Sequence, residues 1–113
     1  MEDAVRSKAQ KKFPHSHKVL ISQNSRTQVE VASLTKIMTC ILTIELCEKF
    51  NIDSSSEEIL IGKFESEIGG TSAEISVGEI YKLEDLYYGL MLPSGNDASV
   101  SMAVWGGRIL LNK

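Results

Sequence analysis

Between residues 33 and 50 the sequence predicts a helix with apolar side chains on nearly every face: Leu34, Ile37, Met38, Ile41, Leu42, Ile44, Leu46 and Cys47. Such a helix cannot rest on a surface with one stripe turned inward; it demands neighbours all round. Its first turn therefore belongs at or near a domain interior, and polar side chains there meet protein rather than bulk water. The run does not span a bilayer, because its richest stretch, residues 37–46, contains Glu45 and falls short of the roughly 18 to 20 apolar residues required.

The rest of the chain organises around that helix. Lys18-Val19-Leu20-Ile21-Ser22-Gln23-Asn24 is a short apolar run closed by turn formers, and Val29 and Val31 alternate with polar neighbours, which predicts one strand and an extended approach to Ser33. Residues 82–92 predict a second helix, with Leu83, Leu86, Tyr87 and Leu90 on one face and Pro93 ending it. A third is predicted to begin within residues 96–99 and to run through Val104 until Gly106-Gly107 interrupts it. Residues 51–56 read as a polar turn. Residues 57–61 and 72–77 are compatible with short strands or irregular crossings around Gly69-Gly70. The predicted strand has no evident partner for its backbone groups.

A length of 113 residues allows one domain, hardly two, and 42% hydrophobic with 24% charged content excludes a disordered tail. The net charge of −3 conceals an asymmetry. Residues 1–26 carry six Lys and Arg against Glu2 and Asp3, a net +4, whereas the remainder carries six against thirteen, a net −7. Clustered Lys and Arg attract phosphate. Without interleaved aromatics or a periodic helix face, however, residues 1–17 read as a flexible basic arm, and a nucleic-acid partner is not expected. The arm lacks the apolar run and cleavage site of a secretory signal, so the sequence as written would stay inside the cell. Cys40 and Cys47 would lie roughly 10 Å apart along the helix, beyond the roughly 7 Å reach of a disulfide, and read as small buried apolar residues. His15-Ser16-His17 has no Cys, Asp or Glu nearby and reads as a solvated pair rather than a metal site. Trp105 reads as a core or docking aromatic.

Two constellations carry chemistry. In Ala32-Ser33-Leu34-Thr35-Lys36, Ser33 and Lys36 share a helix face, which brings an amine within reach of a hydroxyl. A serine is a weak nucleophile until a neighbour takes its proton, and a lysine serves as that base where burial or nearby positive charge favours its neutral form. The Ser33 N–H, at the positive end of the helix, is placed to stabilise an oxyanion. The plainer alternative makes Ser33 a helix cap and Lys36 a solvated side chain. Against it, a capping box would place Glu or Gln where Lys36 stands, and a cation in the first turn opposes the helix dipole. In Leu92-Pro93-Ser94-Gly95-Asn96-Asp97-Ala98 a hydroxyl and a carboxamide sit on a tight turn from which both can enter a cleft. The alternative there is a helix connection capped by Asn96 or Asp97, and Asp97 is read as cap and dipole partner rather than catalytic acid.

The string Ala32-Ser33-Leu34-Thr35-Lys36-Ile37-Met38-Thr39, with Leu92-Pro93-Ser94-Gly95-Asn96-Asp97-Ala98 about sixty residues later, resembles the serine-type D-alanyl-D-alanine carboxypeptidases, the low-molecular-mass penicillin-binding proteins. The resemblance covers residues 18–104, with 18–24 similar to the strand leading to the active-site helix, and 70–78 and 83–90 similar to the loop and helix before the Ser-Gly-Asn turn. It implies an α/β (α+β) fold of the β-lactamase and transpeptidase type. Ser33 would attack the carbonyl between two D-alanines of a peptidoglycan stem peptide and form an acyl-enzyme. Lys36 would be the general base, Ser94 would relay the proton to the leaving amine, and Asn96 would hydrogen-bond the substrate's amide carbonyl. The resemblance implies no metal or organic cofactor, and β-lactams would acylate the same serine. The family normally works outside the cytoplasmic membrane.

The family's third motif, Lys-Thr-Gly, which binds the substrate carboxylate and supplies the second oxyanion donor, does not occur in these 113 residues. Residues 18–113 are therefore expected to be a partial domain, mainly the helical half with one or two sheet strands. Loss of one oxyanion donor costs on the order of 100- to 1,000-fold in rate, so the chain alone is expected to be a poor or inactive peptidase. The competing readings are a non-catalytic remnant, or a module that binds a peptide or a completing chain through its unpaired strand and exposed helix faces. A weaker third is a small nucleic-acid-associated protein using the basic arm.

Overall fold

The structure is a computed structural model that describes residues 18–112. The basic arm and the His15-Ser16-His17 pair lie outside the described residues. The described residues fall into two units, 18–30 and 31–112.

In the first unit, residues 18–30 are exposed throughout, with a turn closed by the Thr27 N–H donating to the Asn24 carbonyl at 2.9 Å. The predicted strand does not form: Val19, Leu20 and Ile21 are 67%, 85% and 92% exposed, and none of the described residues 18–30 pairs with them in a ladder.

The second unit runs through a 3-10 turn Ala32–Leu34, α1 Thr35–Phe50, β1 Glu58–Leu60, α2 Lys63–Ser66, β2 Ile80–Lys82, α3 Leu83–Met91 and α4 Asn96–Leu111. β1 and β2 pair antiparallel, with Ile59 opposite Tyr81 and Glu58 facing Lys82, so the short ladder is closed by opposite charges. Residues 57–61 thus contribute a strand, whereas 72–77 cross irregularly. Asn51, in the left-handed conformation at φ 54°, stops α1.

The core lies where α1, α3 and α4 meet. Leu83, Leu86 and Leu90 of α3 are fully buried against Ala98, Met102 and Trp105 of α4, with Cys47, Ile59, Ile61 and Ile75 completing the cluster. The Trp105 indole N–H donates to Glu57 Oε1 at 2.9 Å, which satisfies its polar edge and ties α4 to the segment before β1. Cys40 and Cys47 are free thiols.

Two further features, both in the second unit, differ from the sequence expectation. α4 continues through Gly106-Gly107 to Leu111 instead of ending there. Gly106 is buried, and a Cβ on it would lie 3.1 Å from Leu46 Cδ1, so the missing side chain permits close packing on α1 that offsets the helix cost of glycine. The second difference concerns α1. Within this unit only Lys36, Thr43 and Cys47 are buried on it, while Leu34, Ile37, Met38, Ile41, Leu42 and Ile44 remain exposed. α3 and α4 cover one side of the helix; none of the described elements from Val31 onward covers the other.

Candidate active site

The first turn of α1 and the turn between α3 and α4 converge. Ser33 stands exposed on the 3-10 turn, and Lys36, one turn on, is buried at 8% exposure. The Lys36 Nζ donates to Asn96 Oδ1 at 2.8 Å and lies 3.4 Å from Ser33 Oγ. The contact with Ser33 is long, as catalytic contacts without substrate often are. Asn96 is the first residue of α4, and its Nδ2 donates to the Gly69 carbonyl at 2.8 Å. An amide has two N–H bonds, so one remains uncommitted among the described residues.

Ser33, Lys36 and Ser94 line one cleft of about 390 Å³, walled by Ile37, Leu90 and Met91. The structure thus brings three of the four sequence-predicted residues to this cleft and joins the fourth, Asn96, to it through Lys36. Ser94 shares the cleft, but its hydroxyl makes no hydrogen bond to Ser33 or Lys36 among the described residues.

Both serines sit on unusual backbone. Ala32, immediately before Ser33, has φ 41°, and Ser94 itself has φ 59°. Non-glycine residues held in this region cost on the order of 1–3 kcal/mol each and gather where side chains must be aimed. Thr35 Oγ1 fixes the first turn by donating to the Ala32 carbonyl at 2.8 Å. Gly95, buried at the start of α4, fixes the second: its N–H donates to the Gly89 carbonyl at 3.0 Å. A Cβ on Gly95 would lie 2.6 Å from Asp97 Oδ1, 2.8 Å from the Gly89 carbonyl oxygen and 2.9 Å from Ala73 Cβ, so only glycine fits this turn.

Helix capping does not explain these residues. Leu34 occupies the cap position of α1 and Gly95 that of α4, neither with a side-chain capping bond. Asp97 is 1% exposed. Its Oδ1 accepts from the Ala73 and Ala98 N–H groups, both at 2.8 Å, and its Oδ2 from Ser72 Oγ at 2.7 Å. Sequence reasoning assigned Asp97 a local role as cap and dipole partner and missed this loop, whose one signal is a polar Thr71-Ser72 pair following two glycines.

Burial pushes the Asp97 carboxyl upward, but hydrogen bonds from Ala73, Ser72, Ala98 and Ile75 outweigh it and leave the pKa below the ordinary aspartate value. A folded-state pKa below that of the unfolded chain contributes stability that is complete above about pH 4 and is lost as pH falls through the folded value. The thermal midpoint is expected to drop on acidification below pH 4, and Asp97→Asn to flatten part of that drop. Asp53 and Glu79 are lowered too, mainly by bonds from Ser55 and Ser76, so the difference between wild type and variant isolates Asp97.

Among the described residues no group of three His, Cys, Asp or Glu side chains is placed to hold a metal ion, and no helix is long and apolar enough to cross a membrane.

Comparison with known proteins now bears on these residues. The profile of peptidase family S11, described as D-alanyl-D-alanine carboxypeptidase, matches residues 14–107. The chain belongs to this family. The D-alanyl-D-alanine carboxypeptidase DacF of Bacillus subtilis (strain 168) is 36% identical over 86 residues, which cover 76% of this chain and 22% of that protein. The crystal structure of the D-alanyl-D-alanine carboxypeptidase DacD from Francisella tularensis superposes with a TM-score of 0.65 at 21% identity, over 82% of this chain and 28% of that one. The structural match speaks for the fold, which is a small mixed α/β arrangement of the carboxypeptidase type. The chain therefore spans about a fifth of the length of the curated relative and somewhat over a quarter of the solved one.

Proposed function

We propose that Ser33, Lys36, Ser94 and Asn96 form the nucleophilic part of a serine acyl-transfer site that acts on the terminal D-Ala-D-Ala of peptidoglycan stem peptides. The observation that carries this reading is the Lys36 amine, buried between Ser33 Oγ at 3.4 Å and Asn96 Oδ1 at 2.8 Å. A solvated surface lysine has no reason to adopt that position.

In the proposed reaction the Ser33 oxygen forms a bond to the carbonyl carbon as its proton passes to the Lys36 amine. The tetrahedral oxyanion is met by the Ser33 N–H, which lies in a first turn where helical N–H groups have no intrahelical acceptor. The C–N bond then breaks, and the proton reaches the departing D-alanine amine by way of Ser94. Water then attacks the acyl carbon while Lys36 accepts a proton, and that proton returns to the Ser33 oxygen as the ester C–O bond breaks. The uncommitted Asn96 N–H is suited to hold a substrate amide carbonyl. These 113 residues supply no Lys-Thr-Gly, so slow acylation and poor turnover are expected.

A second reading, binding of a peptide or completing chain without catalysis, is favoured by the apolar side of α1, where Val31, Leu34, Ile37, Met38, Ile41 and Leu42 line an open groove of about 570 Å³. Incubation with a fluorescent penicillin separates the two. Acyl transfer predicts a slow covalent label on the wild-type chain and none on Ser33→Ala. A folded wild-type chain that takes no label leaves the binding reading in its place.

A further inference from the structure

Asn96 makes three hydrogen bonds, two of them through the carboxamide whose direction they set. Its backbone N–H donates to the Thr71 carbonyl at 2.7 Å, its Nδ2 to the Gly69 carbonyl at 2.8 Å, and its Oδ1 accepts from Lys36 at 2.8 Å. A carboxamide fits its socket almost equally well in two orientations half a turn apart, and its partners choose between them. Here the Gly69 carbonyl makes the choice: an acceptor there must face the NH₂ group, which turns the oxygen toward the Lys36 amine. With the loop displaced, the flipped amide would set NH₂ where Oδ1 now stands and take away the acceptor to which the Lys36 amine donates.

The loop that carries Gly69 and Thr71 is anchored from beyond the cleft. The Asp97 carboxylate accepts from Ser72 Oγ at 2.7 Å, from the Ala73 N–H at 2.8 Å and 3.0 Å to its two oxygens, and from the Ile75 N–H at 3.5 Å. Thr71 Oγ1 donates to the Ser94 carbonyl, tying the same loop to the second turn of the site. The loop packs close to the amide it orients, since a Cβ on Gly70, at φ 95°, would lie 2.4 Å from Asn96 Nδ2.

We infer that Asp97 is a positioning residue: its buried carboxylate pins the 69–75 loop to the start of α4, and through the Gly69 carbonyl that loop sets the direction of the Asn96 carboxamide toward Lys36. Its importance for acyl transfer rests on the function proposed above. The orientation itself can be read without any activity.

The test follows the Asn96 side-chain NH₂ pair in ¹⁵N–¹H spectra of the full chain, assigned by its loss in Asn96→Asp, together with hydrogen exchange at the Ala73 and Ile75 amides and the rate of penicillin labelling. In Asp97→Asn one oxygen acceptor becomes a donor that faces the Ala73 N–H. The Ala73 amide is expected to exchange faster and the Asn96 pair to move toward the position of a solvent-exposed amide. Misplacement of a polar partner by about 1 Å can cost as much as 100-fold in rate, and labelling is expected to slow by about 10- to 100-fold. Ser72→Ala, at an exposed residue, removes the bond to Asp97 and the one Ser72 Oγ accepts from the Glu74 N–H, keeps the Asp97 carboxylate and its backbone donors, and should move the same signals in the same direction by less. If Asp97→Asn does not fold, Ser72→Ala decides on the same criterion. An Asn96 pair that stays in place in the folded variant, whatever happens to loop exchange, overturns the proposal. A wild-type chain that takes no label removes the acyl-transfer reading but leaves the Asn96 signal to test the role of Asp97.

Discussion

Replacing Lys36 with alanine is expected to slow acylation of Ser33 by a β-lactam by about 100- to 10,000-fold, the range general base catalysis usually supplies. Lys36 Nζ is the basic group that contacts Ser33 Oγ, at 3.4 Å. It is buried, so no solvent-borne amine takes its place. Lys36→Arg keeps the charge but replaces a compact amine with a planar guanidinium that stays protonated at any working pH, and it should be nearly as slow. Progress curves of penicillin labelling, read beside circular dichroism to show retained helix, measure the effect. A Lys36→Ala chain that labels at the wild-type rate would remove Lys36 from the mechanism.

Leu86→Ala carries the largest expected loss of stability. Leu86 is 1% exposed and sits between fully buried Leu83 and Leu90 on the inward face of α3. Truncating a buried leucine costs about 2–5 kcal/mol, comprising the lost transfer free energy and a residual cavity. A small domain has only about 5–15 kcal/mol in total, and each kcal/mol moves its midpoint by about 4–8 °C. The thermal midpoint should fall by about 10 °C or more. The same truncation at Ile41, 45% exposed on the other side of the neighbouring helix, should change it little. Equal losses at the two positions would mean that the apolar side of α1 is covered in solution.

The contrast between these helices also shows what local pattern can convey. The 3.6-residue repeat of Leu83, Leu86 and Leu90 located α3 and its buried face, because one stripe met one core. The apolar residues all round α1 located the helix but not its burial, which depends on which elements are present to cover it. For the same reason the run at Val19-Leu20-Ile21 had strand propensity and formed no strand: a ladder needs a neighbour, and propensity does not supply one. Glycine as a helix breaker misled at Gly106, where close approach to Leu46 outweighed the intrinsic cost.

At the site, the pairing of Ser33 with Lys36 was legible because three residues on a helix set it. The bond from Lys36 to Asn96 spans sixty positions and was not anticipated: the resemblance in order and spacing assigned both residues to one site but gave Asn96 only a contact to substrate. The loop held by Asp97 left almost no trace, since backbone N–H groups at residues 73 and 75 donate whatever side chains those residues carry.

Ser33 Oγ is the atom proposed to bond to the substrate. Prolonged incubation of the 113-residue chain with benzylpenicillin, followed by intact-mass measurement and peptide mapping, tests it most directly. The account predicts one added penicilloyl group, located on Ser33 and absent from Ser33→Ala. A folded chain that gains no mass, or an adduct on another residue that persists in Ser33→Ala, would contradict it.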